Sequence, residues 1–412
     1  MATTKFEKLP TSLKPILYDI ELIPNPHTFQ FDGQESIECQ VEEQVDTVKL
    51  NVAEMQIFEA TCDTQQAQIT IDETNELAIF KFASPIQVGK AILQIKFRGN
   101  HTDSMKGFYR SSYTLPSGEK TWNLNTQFEA SYARQAFPCF DEPDCKAQFR
   151  ISLVVPDNKV ALSNMPELER KPVERPATFP VEPKVDYVRV TFKTTPVMST
   201  YILAMVVGDF ECIEDEDENG IQLRVFAPPG KKQCCDYSML IAKKSLPFYT
   251  KCFGVVYPLP KLDLIAIPDF SSGAMENWGL VTFREADLMV DSKESSLAQK
   301  RRVALVVAHE LAHMWFGNLV TMKWWTHLWL NEGFATWMEY HCISHIAPEF
   351  DIWTTFTTDE LSSAFALDGL RSSHPIEVEV GPPSEVDEIF DSISYAKGAS
   401  IINMLYHWIG DD

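Results

Sequence analysis

Four residues in the second half of the chain have the types and spacing for metal chemistry. His309, Glu310 and His313 lie in AHELAH, and Glu332 lies in LNEGFATW, with eighteen residues between it and His313. Two imidazoles four residues apart are separated by about 40° around an α-helix, so both can face one metal ion. The carboxylate between them lies beside such an ion without having to bind it. A third ligand must come from elsewhere, and Glu332 is spaced to supply it. Three protein ligands leave the fourth tetrahedral position open, which is the pattern of a catalytic rather than a structural zinc. The expected chemistry is hydrolysis by a water that zinc has acidified, with Glu310 as the general base that passes the proton to a leaving amine. The oxyanion of such a reaction needs a further donor, and twelve tyrosines leave that choice open.

The HExxH spacing alone is a modest signal, because a histidine on an apolar helix is commonly a packed core residue. Glu332 turns it into a specific one. A second stretch, PDFSSGAMENWGL, carries Gly273, Ala274, Met275, Glu276 and Asn277. A glycine followed by small residues lets a substrate backbone approach closely, as along a sheet edge, and a carboxylate beside it would hold a cation. Taken alone, the same stretch reads more readily as a turn with a surface Glu276.

Two helices must position the metal residues, and the spacing predicts them over the stretch 303–339, joined by a short Trp-rich turn. Before them, from about residue 15 to 210, the pattern is strand-like. YDIELIP, LAIFKF, AILQIKFRG and YVRVTFKTTP alternate or run apolar between Asn, Asp, Gly and Pro turns, and no segment sustains a 3.6-residue period. The expected architecture is multidomain, with an all-β saddle or sandwich over residues 1–207 and an α+β unit over 208–412. Residues 165–186 hold Pro166, Pro172, Pro176, Pro180 and Pro183, which exclude a helix or an interior strand and suggest a surface hairpin. GLVTFREADLMV reads as a strand pair. The chain stops just after a helix-like run, so it is read as incomplete at its C-terminus.

Composition narrows the function classes. A net charge of -22 argues against nucleic acid and against anionic membrane surfaces as partners. Nine scattered cysteines with no CxxC spacing indicate neither a disulfide framework nor a cysteine zinc site. The N-terminus lacks the apolar core of a secretory signal, and no apolar run is long enough to cross a bilayer. A soluble protein of a reducing, cytoplasmic compartment is expected.

The combination of GAMEN at 273–277, HELAH at 309–313 and Glu332 resembles the M1 family of zinc aminopeptidases, the gluzincins. The flanks WFGNLVT, WWTHLWLNEGFA and SYAKGAS, and the earlier block NTQFEASYARQAFPCFDEP, extend the resemblance over nearly the whole chain. It is nearest to the puromycin-sensitive, cytosolic type. The resemblance implies a thermolysin-like catalytic domain and one Zn²⁺ per chain, held by His309, His313 and Glu332. It implies Glu310 as the base and Tyr395 as the oxyanion donor. It further implies that Glu276 and Glu129 bind the substrate's free α-amine, that Gln127 lies at the first side-chain pocket, and that Gly273 and Ala274 lie along the peptide. The partners would be peptides with a free N-terminus. A helical domain that follows in the family is expected to be missing. The competing expectations are a catalytically silent fragment that binds peptides, or a related zinc hydrolase acting as an endopeptidase or epoxide hydrolase.

Overall fold

The computed structural model describes residues 6–177, 179 and 185–410, which fall into two compact units. The first comprises Glu7–Phe210 with Pro268–Ser271. Its strands follow the period-2 pattern. In Gly89–Asn100, Ala91, Leu93, Ile95 and Phe97 are buried while Lys90, Gln94 and Lys96 are exposed. Eight strands form one sheet in the order Glu167–Val173, Tyr187–Phe192, Gln148–Pro156, Leu13–Asn25, Gln30–Val41, Gly89–Asn100, Gln56–Cys62 and Gln65–Gln66. Sheets of four and three strands accompany it. Tyr18 stacks on Phe149 in the core, with ring centroids 5.0 Å apart. Among the described residues this unit has 3₁₀ turns and no α-helix, as the absence of a 3.6-residue period led one to expect.

The proline-rich segment enters as Glu167–Val173, the outermost strand of the large sheet, paired antiparallel with Tyr187–Phe192. Pro172 is tolerated there because one side of an edge strand makes no ladder bonds. Pro180 and Pro183 lie outside the described residues.

The second unit comprises Phe6, Glu211–Ile267 and residues 272–410. Its five-stranded sheet runs in the order Glu211–Glu216, Gln222–Ala227, Lys261–Ile267, Leu280–Arg284 and Ala274–Met275. The three inner strands are parallel and the two outer ones antiparallel to their neighbours. Lys261–Ile267 is buried at every position, as a strand covered on both faces requires. A β-rich unit followed by an α+β unit is thus the observed architecture. One local expectation fails. GLVTFREADLMV is not a strand pair but one strand, Leu280–Arg284, followed by the short helix Glu285–Leu288. Glu285 and Asp287 in the first turn favour the helix through its N-terminal dipole.

The histidine-bearing helix is Leu297–His313, and Ser296 caps it by accepting from the Gln299 N–H at 3.1 Å. Every residue from Val303 to His313 is buried. The Glu332-bearing helix is Leu328–Ile346. Their connection is more elaborate than a tight turn, with a bridge between Phe316 and Val320 and a 3₁₀ turn at Trp325–His327. Behind them, helix Asp236–Phe253 presents Tyr249, whose hydroxyl donates to the Ala308 carbonyl at 2.8 Å. All nine cysteines are free. No helix among the described residues is long and apolar enough to cross a membrane.

Candidate metal centre

The two helices bring His309, His313 and Glu332 together as a buried trio whose donor atoms lie within 4.8 Å of one another. The two Nε2 atoms are 3.0 Å apart, and Glu332 Oε2 is 3.3 Å from His309 Nε2 and 3.5 Å from His313 Nε2. Ligands about 2.0–2.2 Å from a tetrahedral zinc stand about 3.3–3.6 Å from one another, so the two Glu332 spacings match the edges of a zinc site, while the two Nε2 atoms stand closer, at 3.0 Å.

The outer nitrogens decide the tautomers. His309 Nδ1 is 2.7 Å from Glu339 Oε2. His313 Nδ1 faces the Phe316 carbonyl at 3.1 Å and Asn331 Oδ1 at 3.2 Å. Every one of these partners is an acceptor, so both Nδ1 atoms carry a proton, and on the neutral rings both Nε2 atoms present lone pairs to the same point. Two lone pairs and a carboxylate oxygen aimed at one spot need a cation there, and the donor set fits zinc.

The charges agree. Burial pulls the His313 imidazole down, but the Glu276 and Glu332 carboxylates outweigh it and raise it to about 9. Burial raises Glu332, yet the two imidazoles hold it at about 2. Glu310 lies one residue from His309 and is pushed up to about 8, chiefly by burial. Its Oε2 has no hydrogen-bond partner among the described residues. A buried carboxylate oxygen left open beside the trio is placed to take a proton from a ligand in the site.

Tyr395 lies in a π-helical turn, Ile393–Lys397, with its ring stacked 6.0 Å from that of His309 at 18°. Close helix packing brings it there. A Cβ on Gly333 would lie 2.9 Å from the Gly398 backbone and 3.0 Å from the Ser394 carbonyl. The 273–277 segment runs along the sheet's edge. Ala274 and Met275 pair with Phe283 and Thr282 on one side only, which leaves the other edge for a peptide strand. A Cβ at Gly273 would meet Arg302 Nη2 at 2.9 Å. Glu276 is buried, and its Oε1 lies 3.9 Å from His313 Nδ1. Burial raises its pKa, and His313 opposes the shift. Asn277 turns away and donates to Thr282 Oγ1 at 3.1 Å. A buried Lys261 donates to Asp263 at 2.6 Å and to the Gly279 carbonyl at 2.7 Å, which fixes the turn after the segment.

Ten of the residues singled out from sequence thus belong to one unit: His309, Glu310, His313, Glu332, Tyr395, Gly273, Ala274, Met275, Glu276 and Asn277. Gln127 and Glu129 belong to the other unit. Gln127 ends the strand Lys120–Gln127 and is buried, and Glu129 follows two residues later. Sequence reasoning missed Glu339, Asn331 and Asn318. Glu339 had a signal, because it stands seven residues, two helical turns, after Glu332 and therefore on the same face.

Comparison with known proteins agrees with this geometry. The Peptidase family M1 domain profile matches residues 237–412, and the Peptidase M1 N-terminal domain profile matches residues 14–202. The chain belongs to peptidase family M1. Members of family M1 are zinc metallopeptidases. The chain is 46% identical to "Puromycin-sensitive aminopeptidase" of Caenorhabditis elegans, over 100% of this chain and 43% of that protein. It is 45% identical to "Aminopeptidase M1" of Arabidopsis thaliana, over 98% of this chain and 45% of that protein. It is 43% identical to "Aminopeptidase 2, mitochondrial" of Saccharomyces cerevisiae, over 100% of this chain and 42% of that protein. The chain therefore spans less than half the length of these M1 relatives.

Proposed function

We propose that this chain carries the active site of a zinc aminopeptidase, which removes the N-terminal residue from peptides by hydrolysis. The observation that carries the proposal is the adjacency of two things. Three metal donors converge at one buried point, and a second buried carboxylate, Glu276, stands 3.9 Å from one of the ligand histidines. A carboxylate buried so close to the reacting centre is satisfied by a substrate ammonium and rejects an internal peptide segment, which has none.

His309, His313 and Glu332 would hold one zinc ion per chain. When bound, the metal supplies Lewis acidity and a water of pKa about 7. The chain's own residues do the rest. Glu310 Oε2, open and desolvated, takes a proton from the attacking water and delivers it to the leaving amine. Tyr395 donates its phenolic hydrogen to the oxyanion that develops on the scissile carbonyl. Glu276 anchors the α-amine. Gly273, Ala274 and Met275 offer backbone to the peptide, and Asn277 supports the turn. The functional division is 1–207 and 208–412, and the compartment is cytoplasmic.

The test is hydrolysis of an aminoacyl-arylamide by the 412-residue chain, with zinc content measured in the same sample. The expected result is turnover that a chelator abolishes and added zinc restores, at one zinc per chain. A folded, zinc-loaded chain without turnover would contradict the proposal.

A further inference from the structure

Metal binding and amine recognition use different side chains, yet two buried asparagines join them. Asn331 directly precedes Glu332. Its Oδ1 accepts from His313 Nδ1–H at 3.2 Å, and its Nδ2 donates to Glu276 Oε1 at 3.5 Å. Asn318 makes the second link. Its backbone N–H donates to the His313 carbonyl at 3.0 Å, and its Nδ2 donates to the Glu276 carbonyl at 2.8 Å. Glu276 is therefore gripped at both its carboxylate and its backbone, each time by a residue also bonded to His313.

An uncharged amide suits this task because it offers one acceptor and two donors from a single rigid plane. The connecting loop makes room for it. Gly317 has φ +131°, and a Cβ there would lie 2.7 Å from Asn331 Oδ1 and 3.1 Å from His313 Nδ1. All four linked groups are buried, so solvent does not substitute for a broken bond.

We propose that Asn331, backed by Asn318, is a positioning residue that couples the metal to the amine site, so that zinc and the substrate's N-terminal ammonium each tighten the other's binding. A metal on Nε2 fixes the His313 ring. The ring's Nδ1–H then fixes Asn331 Oδ1, and the same amide plane turns Nδ2 toward Glu276. An ammonium on Glu276 pulls on the same chain from its other end. Reciprocity follows from thermodynamic linkage, because two ligands that share one ordered element must affect each other equally. With a 3.5 Å bond in the path, the coupling falls at the lower end of the usual range, about fivefold. The inference rests on the aminopeptidase reading, in which Glu276 binds the amine.

The experiment follows the rate at which the zinc-loaded chain gives up its metal to a chromogenic chelator. Leucinamide, which has a free amine, and N-acetyl-leucinamide, which has none, are compared as additives. In the unaltered chain, leucinamide slows zinc release about fivefold and the acetylated compound does not. Asn331→Ala abolishes the slowing. Asn331→Asp keeps the acceptor for His313 but sets a carboxylate against Glu276. It therefore retains zinc, loses the leucinamide effect and raises KM, and it decides the matter if the alanine variant does not fold. Leucinamide protection that survives in Asn331→Asp overturns the coupling. So does a chain that turns over leucyl-arylamide yet releases zinc at the same rate with either additive. A chain that neither turns over nor responds overturns the aminopeptidase reading itself, and the coupling with it.

Discussion

The chain holds two pairs of histidines at four-residue spacing on helices, and their rings are equally close. The centroids of His309 and His313 are 4.7 Å apart, and so are those of His341 and His345. Only the first pair has the surroundings of a metal site. Its Nδ1 atoms are tied to Glu339, Phe316 and Asn331, and Glu332 completes a buried three-donor cluster. In the second pair, the His345 Nδ1–H donates back to the His341 carbonyl at 2.7 Å, and His341 lies flat on Trp337 at 5.0 Å. Among the described residues no acidic or sulfur ligand joins these two in a three-donor cluster. Helical spacing therefore makes a metal pair possible, and the Glu332 carboxylate with the outer-nitrogen partners gives the first pair the donor set that zinc takes.

The largest contrast is expected from removing one ring of each pair. His313→Ala should lose the zinc and with it all measurable hydrolysis. His345→Ala should keep one zinc per chain and full activity, as read by metal analysis and arylamide turnover. A two-zinc stoichiometry that falls to one in His345→Ala would break the comparison. Next comes Glu310→Gln, which leaves the ligands intact and removes the base. Its kcat should fall by about 10²–10⁴ with zinc content unchanged. A loss of zinc would instead make Glu310 a ligand. Glu339→Gln should weaken zinc about 10–100-fold by loosening the hydrogen bond that orients His309, measured by competition against a chelator of known affinity.

The smallest expected effect is in pH. In the zinc-free chain, the His313 imidazole is raised to about 9 by Glu276 and Glu332 despite burial, and His309 is raised well above its ordinary value by Glu332 and Glu339 despite burial. The protonated rings stabilise the zinc-free fold below the ordinary histidine pKa, and this contribution is lost as pH rises through about 9. Zinc must displace those protons. Its apparent affinity should therefore climb with pH up to about 9 and level off beyond, with proton release on binding at pH 7.5 detectable by calorimetry in buffers of different ionisation enthalpy. Uptake without proton release would contradict the raised imidazole pKa values.

The trio was legible because its members are few, their residue types are diagnostic, and their spacing converts directly into a helix face. The β-rich first unit was legible for a similar reason, since strands such as Gly89–Asn100 alternate along most of their length. The support of the trio was not legible in the same way. Asn331 and Asn318 act through the register between two helices, a loop and a sheet edge, and an asparagine in a sequence looks the same whether it grips a ligand or a turn. Glu339 could have been found by continuing the Glu332 face by two turns. Tyr395 came only from resemblance. A π-helical turn determines which way it faces, and no apolar period marks such a turn. The strand expected at EADL failed because its two carboxylates favour a helix N-terminus over an edge strand.

The central claim is that a free N-terminal amine is read beside the metal. It is tested most directly by comparing kcat/KM for leucyl-arylamide with that for N-acetyl-leucyl-arylamide on the zinc-loaded chain, with Glu276→Ala run alongside. The account predicts hydrolysis of the free amine only, and in Glu276→Ala a raised KM with most of the preference gone. Equal cleavage of the acetylated substrate by the unaltered chain would contradict it.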